Sequence, residues 1–168
     1  EKGMDELCEA AQTLKKKYGA AVHFDIVGFF EDAKKDTEER LSEAGVVCFH
    51  GFQSAPRPFY AMSHCVVLPS YHEGMSNVLL EAAASGRAVI TSDIPGCREA
   101  LQNGASGLLC KPQDAQSLTE QLACFLRLAP EERAAMGEQG RRFVEKEFDK
   151  KAVVRATLNA LLPAREPV

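Results

Sequence analysis

The sequence predicts an α/β protein built on a doubly wound parallel sheet, and three observations carry that expectation. Short apolar runs of strand length alternate with longer segments of helical period. The run from Cys65 to Leu68 stops at Pro69 and passes through a polar loop into a Leu- and Ala-rich helix. The connections between segments are short. Alternation at this spacing calls for parallel strands covered by helices on both faces.

Met4, Leu7, Cys8, Ala11 and Leu14 recur with a helical period, and Lys15 to Lys17 place positive charge at the carbonyl end of that helix before Gly19. Val22 to Gly28 reads as a strand, Asp36 to Ala44 as a polar helix, Val46 to His50 as a second strand and Pro56 to Ser63 as a short helix. After the central unit come a strand at Ala88 to Ser92, a short helix from Pro95 or Gly96, a strand near Gly107 to Cys110, and a helix from Asp114 or Ala115 to Leu128. Pro130 opens a helix over Glu131 to Glu147, because a first turn has no use for the N–H that proline lacks and the acids behind it meet the positive end of the dipole. A last helix over Lys151 to Leu161 gathers Val153, Val154, Leu158, Leu161 and Leu162, a face expected to be poorly buried or packed on a neighbour.

At 168 residues, 45% hydrophobic and 26% charged, the chain fits one soluble globular domain. A net charge of −4 argues against a general nucleic-acid surface, which needs a basic footprint. Cysteines 8, 48, 65, 97, 110 and 124 form no Cys-x-x-Cys pair, and several sit in apolar segments, so a reducing cytoplasm is the expected setting. No apolar run approaches the ~20 residues that span a bilayer, so any membrane contact is expected to be peripheral.

The chemistry concentrates between Pro69 and Ser85. Ser76 or Asn77 can cap the helix through Val78 to Ala84, whose first free N–H groups then point back at the loop where the strand ended. With Gly74 allowing close backbone approach, that junction suits an anion such as a phosphate. Asn77, Glu81 and Ser85 share one polar stripe, which holds Glu81 near the mouth, where a carboxylate can accept bonds from two neighbouring ribose hydroxyls. Glu73 in the loop can do the same for a second sugar. Taken singly, either acid is as well explained by solvated surface.

The stretch Glu73-Gly74-x-Ser76-Asn77-x-x-x-Glu81 after Pro69-Ser70 resembles the two-glutamate motif of retaining GT-B glycosyltransferases, especially family four, in which seven residues separate the acids. Ala83, Gly86, Val89-Ile90, Gly96, Glu99, Gly104 and Gly107-Leu108 extend the likeness to the donor-binding domain of that family, over roughly residues 2 to 150. The resemblance implies the Rossmann-like half of a GT-B fold. It implies that Glu81 binds the donor ribose, that Glu73 contacts the transferred sugar as the catalytic acid residue, and that the amides of Gly74, Met75 and Ser76, with the helix start at Asn77, meet the diphosphate. Lys2 resembles the lysine that faces the same diphosphate. No Asp-x-Asp occurs, so a nucleotide sugar is expected as substrate with no metal or other cofactor.

In the family a strand ending in Gly-Arg precedes the Lys-Gly matched by Lys2-Gly3. Its absence leads to the expectation of a fragment that lacks the first central strand, between the segments at Val22 to Gly28 and Cys65 to Pro69 in the order 3-2-1-4-5-6. The N-terminal acceptor domain is expected to be missing as well, so that these residues bind donor without turnover. Among other residues, Phe29 and Phe30 can wall the pocket or cap the core, with core the expectation, while Gly51 and Phe52 stand where a base could rest. His64 and His72 lack a partner and Cys97 lacks a resolving thiol, so none is assigned a role. Glu99 is expected to brace loops. The alternatives are a UDP-N-acetylglucosamine 2-epimerase-like enzyme and a non-catalytic nucleotide-binding module. The spacing of the two acids favours the transferase over the epimerase.

Overall fold

The computed structural model describes residues 2–29, 39 and 41–161. Helix α1 (Met4–Tyr18) leads to strand β1 (Asp25–Ile26), and β2 (Cys48–Phe49) is followed by α2 (Arg57–Met62), β3 (Cys65–Leu68) and α3 (Asn77–Ala84). Strand β4 (Ala88–Ser92), a 3-10 turn at Arg98–Ala100 and β5 (Gly107–Cys110) come next, then α4 (Ala115–Arg127), α5 (Pro130–Glu147) and α6 (Lys150–Leu161). Of the predicted helix over Asp36 to Ala44, residues 36–38 and 40 lie outside the described residues, as do Phe30 and Leu162, while 39 and 41–43 are helical.

All described pairings are parallel, and they form two sheets, β1–β2 and β3–β4–β5. No described strand lies between β1 and β3. Both strands of the first sheet are shorter than predicted, although the ladder continues from Cys48 N to Phe24 O (2.8 Å), His50 N to Ile26 O (2.9 Å) and Gly28 N to Gly51 O (3.0 Å). With a partner on one side only, β1 has few rungs to hold its extended geometry.

Strand β4 is buried along its whole length. Ala88 and Ile90 face Ala10 and Leu14 of α1 and Leu118, Leu122 and Phe125 of α4, while Val89 faces Leu79 and Ala82 of α3 and Tyr60 of α2. Successive strand residues point to opposite faces, so this double burial is what a sheet covered on both sides requires. Helix α1 also joins the two sheets, since Cys8 and Ala11 pack on Ile26 and Val47. Helix α5 runs past the amino ends of β4 and β5: a Cβ at Gly137 would stand 2.1 Å from the Gly86 carbonyl oxygen, and Gly140 lies against Ser106. The carboxyl ends of the strands are left for ligands, as in other doubly wound sheets.

The helix starts follow their caps. The Asp114 carboxylate accepts from Ser117 N (2.7 Å) ahead of α4, and Glu132 accepts from Ala129 N (2.7 Å) ahead of α5. Val153, Val154, Leu158 and Leu161 of α6 are all exposed, as expected of that face. The six cysteines are free thiols. No helix among the described residues is long and apolar enough to cross a membrane.

Candidate functional site

The loop after β3 is gripped from two sides. Gly3 sits at φ +69°, and a Cβ there would lie 2.0 Å from the Pro69 carbonyl oxygen, so only glycine lets the chain press on the strand end. That contact delivers Lys2 to Glu73, with Lys2 Nζ 2.5 Å from Glu73 Oε1. Ser70 Oγ donates to the same oxygen at 2.9 Å, leaving Oε2 as the oxygen turned to neither. The Glu73 side chain is only 13% exposed, and its charge is therefore held by partners rather than by water. Tyr71 anchors the loop to α1 through its hydroxyl, which donates to both carboxylate oxygens of Glu6 at 2.7 Å.

On the other side the turn at Pro95-Gly96 closes on the loop. Gly96 has φ +84°, and a Cβ there would stand 2.2 Å from the Gly74 carbonyl oxygen and 2.4 Å from that of Glu73. Its carbonyl accepts from Ser76 N at 3.1 Å, while its own N–H donates to Glu99 Oε2 at 2.7 Å. Glu99 thus braces the loops, as its position suggested.

Ser76, not Asn77, is the cap: its side chain accepts from Leu79 N at 3.5 Å. This corrects one expectation, because the Ser76 amide, predicted to meet a diphosphate, is already taken by Gly96. The cap uses the Ser76 side-chain oxygen, and the amide is occupied separately by the tertiary contact with Gly96. Among the described residues, the amides of Gly74, Met75, Asn77 and Val78 make no hydrogen bond to the protein. These four donors are unbonded and lie at the positive end of α3, a type of position that favours anions.

Glu81 lies one turn into α3 on the exposed stripe with Asn77 and Ser85. Its Oε2 accepts from the Tyr60 hydroxyl at 3.3 Å. Burial, then the Glu81 charge and hydrogen bond, push the Tyr60 hydroxyl up to about 12, so it stays a donor at neutral pH. The two acids have separate partners, Lys2 and Ser70 for Glu73 and Tyr60 for Glu81. Tyr60 was not singled out from the sequence, since nothing in its short helix marks it as the neighbour of a residue 21 positions away.

Phe29 corrects a second expectation. It is 79% exposed rather than in the core, and stacks on Phe52, itself 61% exposed, with ring centroids 4.8 Å apart and planes 7° apart. The core beneath β1 is already filled by Ile26, Leu41 and Val47, so Phe29 turns to the carboxyl edge instead. Cys97 is buried, its thiol pushed up chiefly by burial, which suits packing and not reactivity. His64 and His72 are exposed. An open hollow of about 490 Å³ between Asp5, Glu6 and Glu9 of α1 and residues 111–116 has an acidic wall that would repel a phosphate.

The structure thus brings together a Ser-capped helix with unbonded first-turn amides, the Lys2–Glu73 pair and a second acid one turn in. Residues 1–143 match the family described as glycosyl transferases group 1. The chain belongs to this family. It is 34% identical over 125 residues to an N,N'-diacetylbacillosaminyl-diphospho-undecaprenol alpha-1,3-N-acetylgalactosaminyltransferase of Campylobacter jejuni, covering 74% of this chain and 32% of that protein. To the capsular polysaccharide biosynthesis glycosyltransferase CapM of Staphylococcus aureus it is 27% identical over 158 residues, covering 91% and 40%. Anabaena HepE, solved in complex with UDP-glucose, superimposes with a TM-score of 0.79 at 23% identity, over 95% of this chain and 45% of that one. The group 1 domain therefore has the fold of GT-B glycosyltransferases, and it spans 32% and 40% of the lengths of these two curated relatives.

Proposed function

We propose that the group 1 domain is the nucleotide-sugar donor-binding part of a retaining hexosyl- or N-acetylhexosaminyl-transferase in polysaccharide or lipid-linked glycan synthesis. The acceptor is then bound by a further, N-terminal domain, and these residues alone give no turnover. The observation that carries this reading is the set of unbonded amides at Gly74, Met75, Asn77 and Val78 beside the Lys2–Glu73 pair. The amides and the α3 dipole receive the donor diphosphate, and the Lys2 ammonium adds the cationic charge that a metal would otherwise supply. As the sugar C–O bond to the β-phosphate breaks, charge builds on that phosphate, and prepositioned donors lower the barrier without reorganising.

Glu81, steadied by Tyr60, accepts from the ribose hydroxyls, and Glu73 holds a sugar hydroxyl through Oε2. Phe29 and Phe52 offer a flat apolar edge to the base. Free thiols and the kind of glycan made by the relatives support a cytoplasmic setting, with membrane contact peripheral.

Calorimetric titration of the full-length protein with a panel of nucleotide sugars tests this. One donor should bind, and Glu81→Ala should weaken it by roughly 10- to 100-fold, the loss of a charge-assisted hydrogen-bond pair. Failure of every donor to bind, or equal affinity in Glu81→Ala, would overturn the reading. Measuring transfer and epimerisation side by side in the same protein separates the transferase from the epimerase.

A further inference from the structure

The first sheet carries a cluster of metal-binding side chains that the donor site does not use. His23 and Asp25 are two residues apart on one extended segment, and Cys48 and His50 two apart on its parallel neighbour, with Asp25 in register with Cys48. The intervening residues Phe24, Ile26, Val47 and Phe49 pack in the core under α1. Strand alternation therefore sends the four polar side chains to the opposite, outward face. Donor atoms of His23, Asp25 and Cys48 all lie within 4.8 Å of one another. Asp25 Oδ1 stands 3.3 Å from His23 Nε2 and 2.7 Å from His50 Nε2. The ring of Phe59, 4.9 Å from that of His50, supports the second imidazole from behind.

We propose that His23, Asp25 and Cys48 bind one Zn²⁺ ion that takes no part in sugar transfer. An imidazole, a carboxylate and a thiolate supply three ligands and leave the fourth tetrahedral position to water, and the two anionic ligands neutralise the divalent charge. Nitrogen and oxygen ligands at zinc distances around a tetrahedral centre are about 3.4 Å apart. The His23–Asp25 separation of 3.3 Å is close to that value, and His50, 2.7 Å from the same carboxylate oxygen, orients Asp25 as an outer hydrogen-bond partner. A hydrogen-bonded bridge alone accounts for Asp25 and the imidazoles, but not for a thiol at the same spot. The ion ties together two strands that have few rungs between them and no described partner strand, so its binding energy is added to the stability of this sheet.

The test uses the full-length protein, free of any affinity tag, stripped with a chelator and titrated with Zn²⁺ by calorimetry and with Co²⁺ by absorption. One equivalent per chain, a thiolate-to-Co²⁺ charge-transfer band and a higher Tm with Zn²⁺ are expected. Cys48→Ser should remove the band, while Cys124→Ser, outside the cluster, keeps it. His23→Gln changes the most exposed ligand, with 64% of its side chain in solvent, and should fold normally while losing at least tenfold in Zn²⁺ affinity. The proposal falls if the unmodified protein shows no thiolate band, if Zn²⁺ leaves its Tm unchanged, or if His23→Gln binds Zn²⁺ as tightly as the parent. Donor titrations with Glu81→Ala report separately on the transferase reading, so the two can fail independently.

Discussion

In the β3–β4–β5 sheet the middle strand is buried on both faces and the strands run four or five residues, whereas in the β1–β2 sheet the strands are two residues long and, among the described residues, a hydrophobic cluster forms on one face. The first is a scaffold, holding the Pro69–Asn77 loop between Gly3 and Gly96 within narrow tolerances. On the second, polar and aromatic groups collect on the outward face and the carboxyl edge: His23, Asp25, Cys48 and His50 on the face, Phe29 and Phe52 at the edge. Local stability and chemical opportunity are thus divided between the sheets, and substitutions should separate them.

The largest effect is expected at the centre of the scaffold. Ile90→Ala, in a fully buried position, should cost about 2–5 kcal/mol in chemical denaturation, since it leaves a cavity under α1 and α4. If it costs no more than an exposed substitution in the first sheet, the contrast between the sheets is wrong. Gly96→Ala comes next, with a cost above ~1 kcal/mol, because the left-handed backbone and the Gly74 carbonyl both exclude a methyl group. Donor binding should be lost along with it, as the loop is displaced. A variant that binds donor normally would show that the turn does not position the loop.

Ser76→Ala should remove roughly 0.5–1 kcal/mol, toward the weaker end for a cap because the bond to Leu79 N is 3.5 Å long. Phe29→Ala and Phe52→Ala should each shift stability by less than ~0.5 kcal/mol, the range of exposed sites, while weakening donor binding through loss of the base platform. An unchanged donor affinity in both would remove the aromatic pair from the proposed site. The last effect is absent at neutral pH. The Tyr60 and Tyr71 hydroxyls are both pushed up to about 12 from 10.0, Tyr60 mainly by burial and Tyr71 mainly by its hydrogen bond to Glu6. Between those values the unfolded chain has released protons that the folded chain retains, so stability should fall as pH rises from 10 toward 12. Tyr60→Phe should blunt that fall, and equal alkaline curves would remove Tyr60 as its source.

Helices α1, α3, α4 and α5 were legible because their periodicity, caps and first-turn residues are local. Strands β3, β4 and β5 were legible because each is an apolar run bounded by Pro or Gly. Strands β1 and β2 were placed but drawn too long, since the extent of a ladder depends on the partner beside it and not on the run of residues alone. The stacking of Phe29 on Phe52 was likewise out of reach, as an aromatic residue at a strand end reads equally as core or as platform.

By itself the sequence determined the alternation of strands and helices, the loop that feeds a capped helix and the spacing of Glu73 from Glu81, all set by residues within a few turns of one another. Only the tertiary structure decided that Lys2 meets Glu73, that Tyr60 meets Glu81, that Gly96 takes the Ser76 amide, and that two histidines, an aspartate and a cysteine share one face. Apart from the neighbours within one strand, those contacts join residues 20 or more positions apart. Their formation depends on how the chain is folded back, through shape and packing that no local pattern encodes.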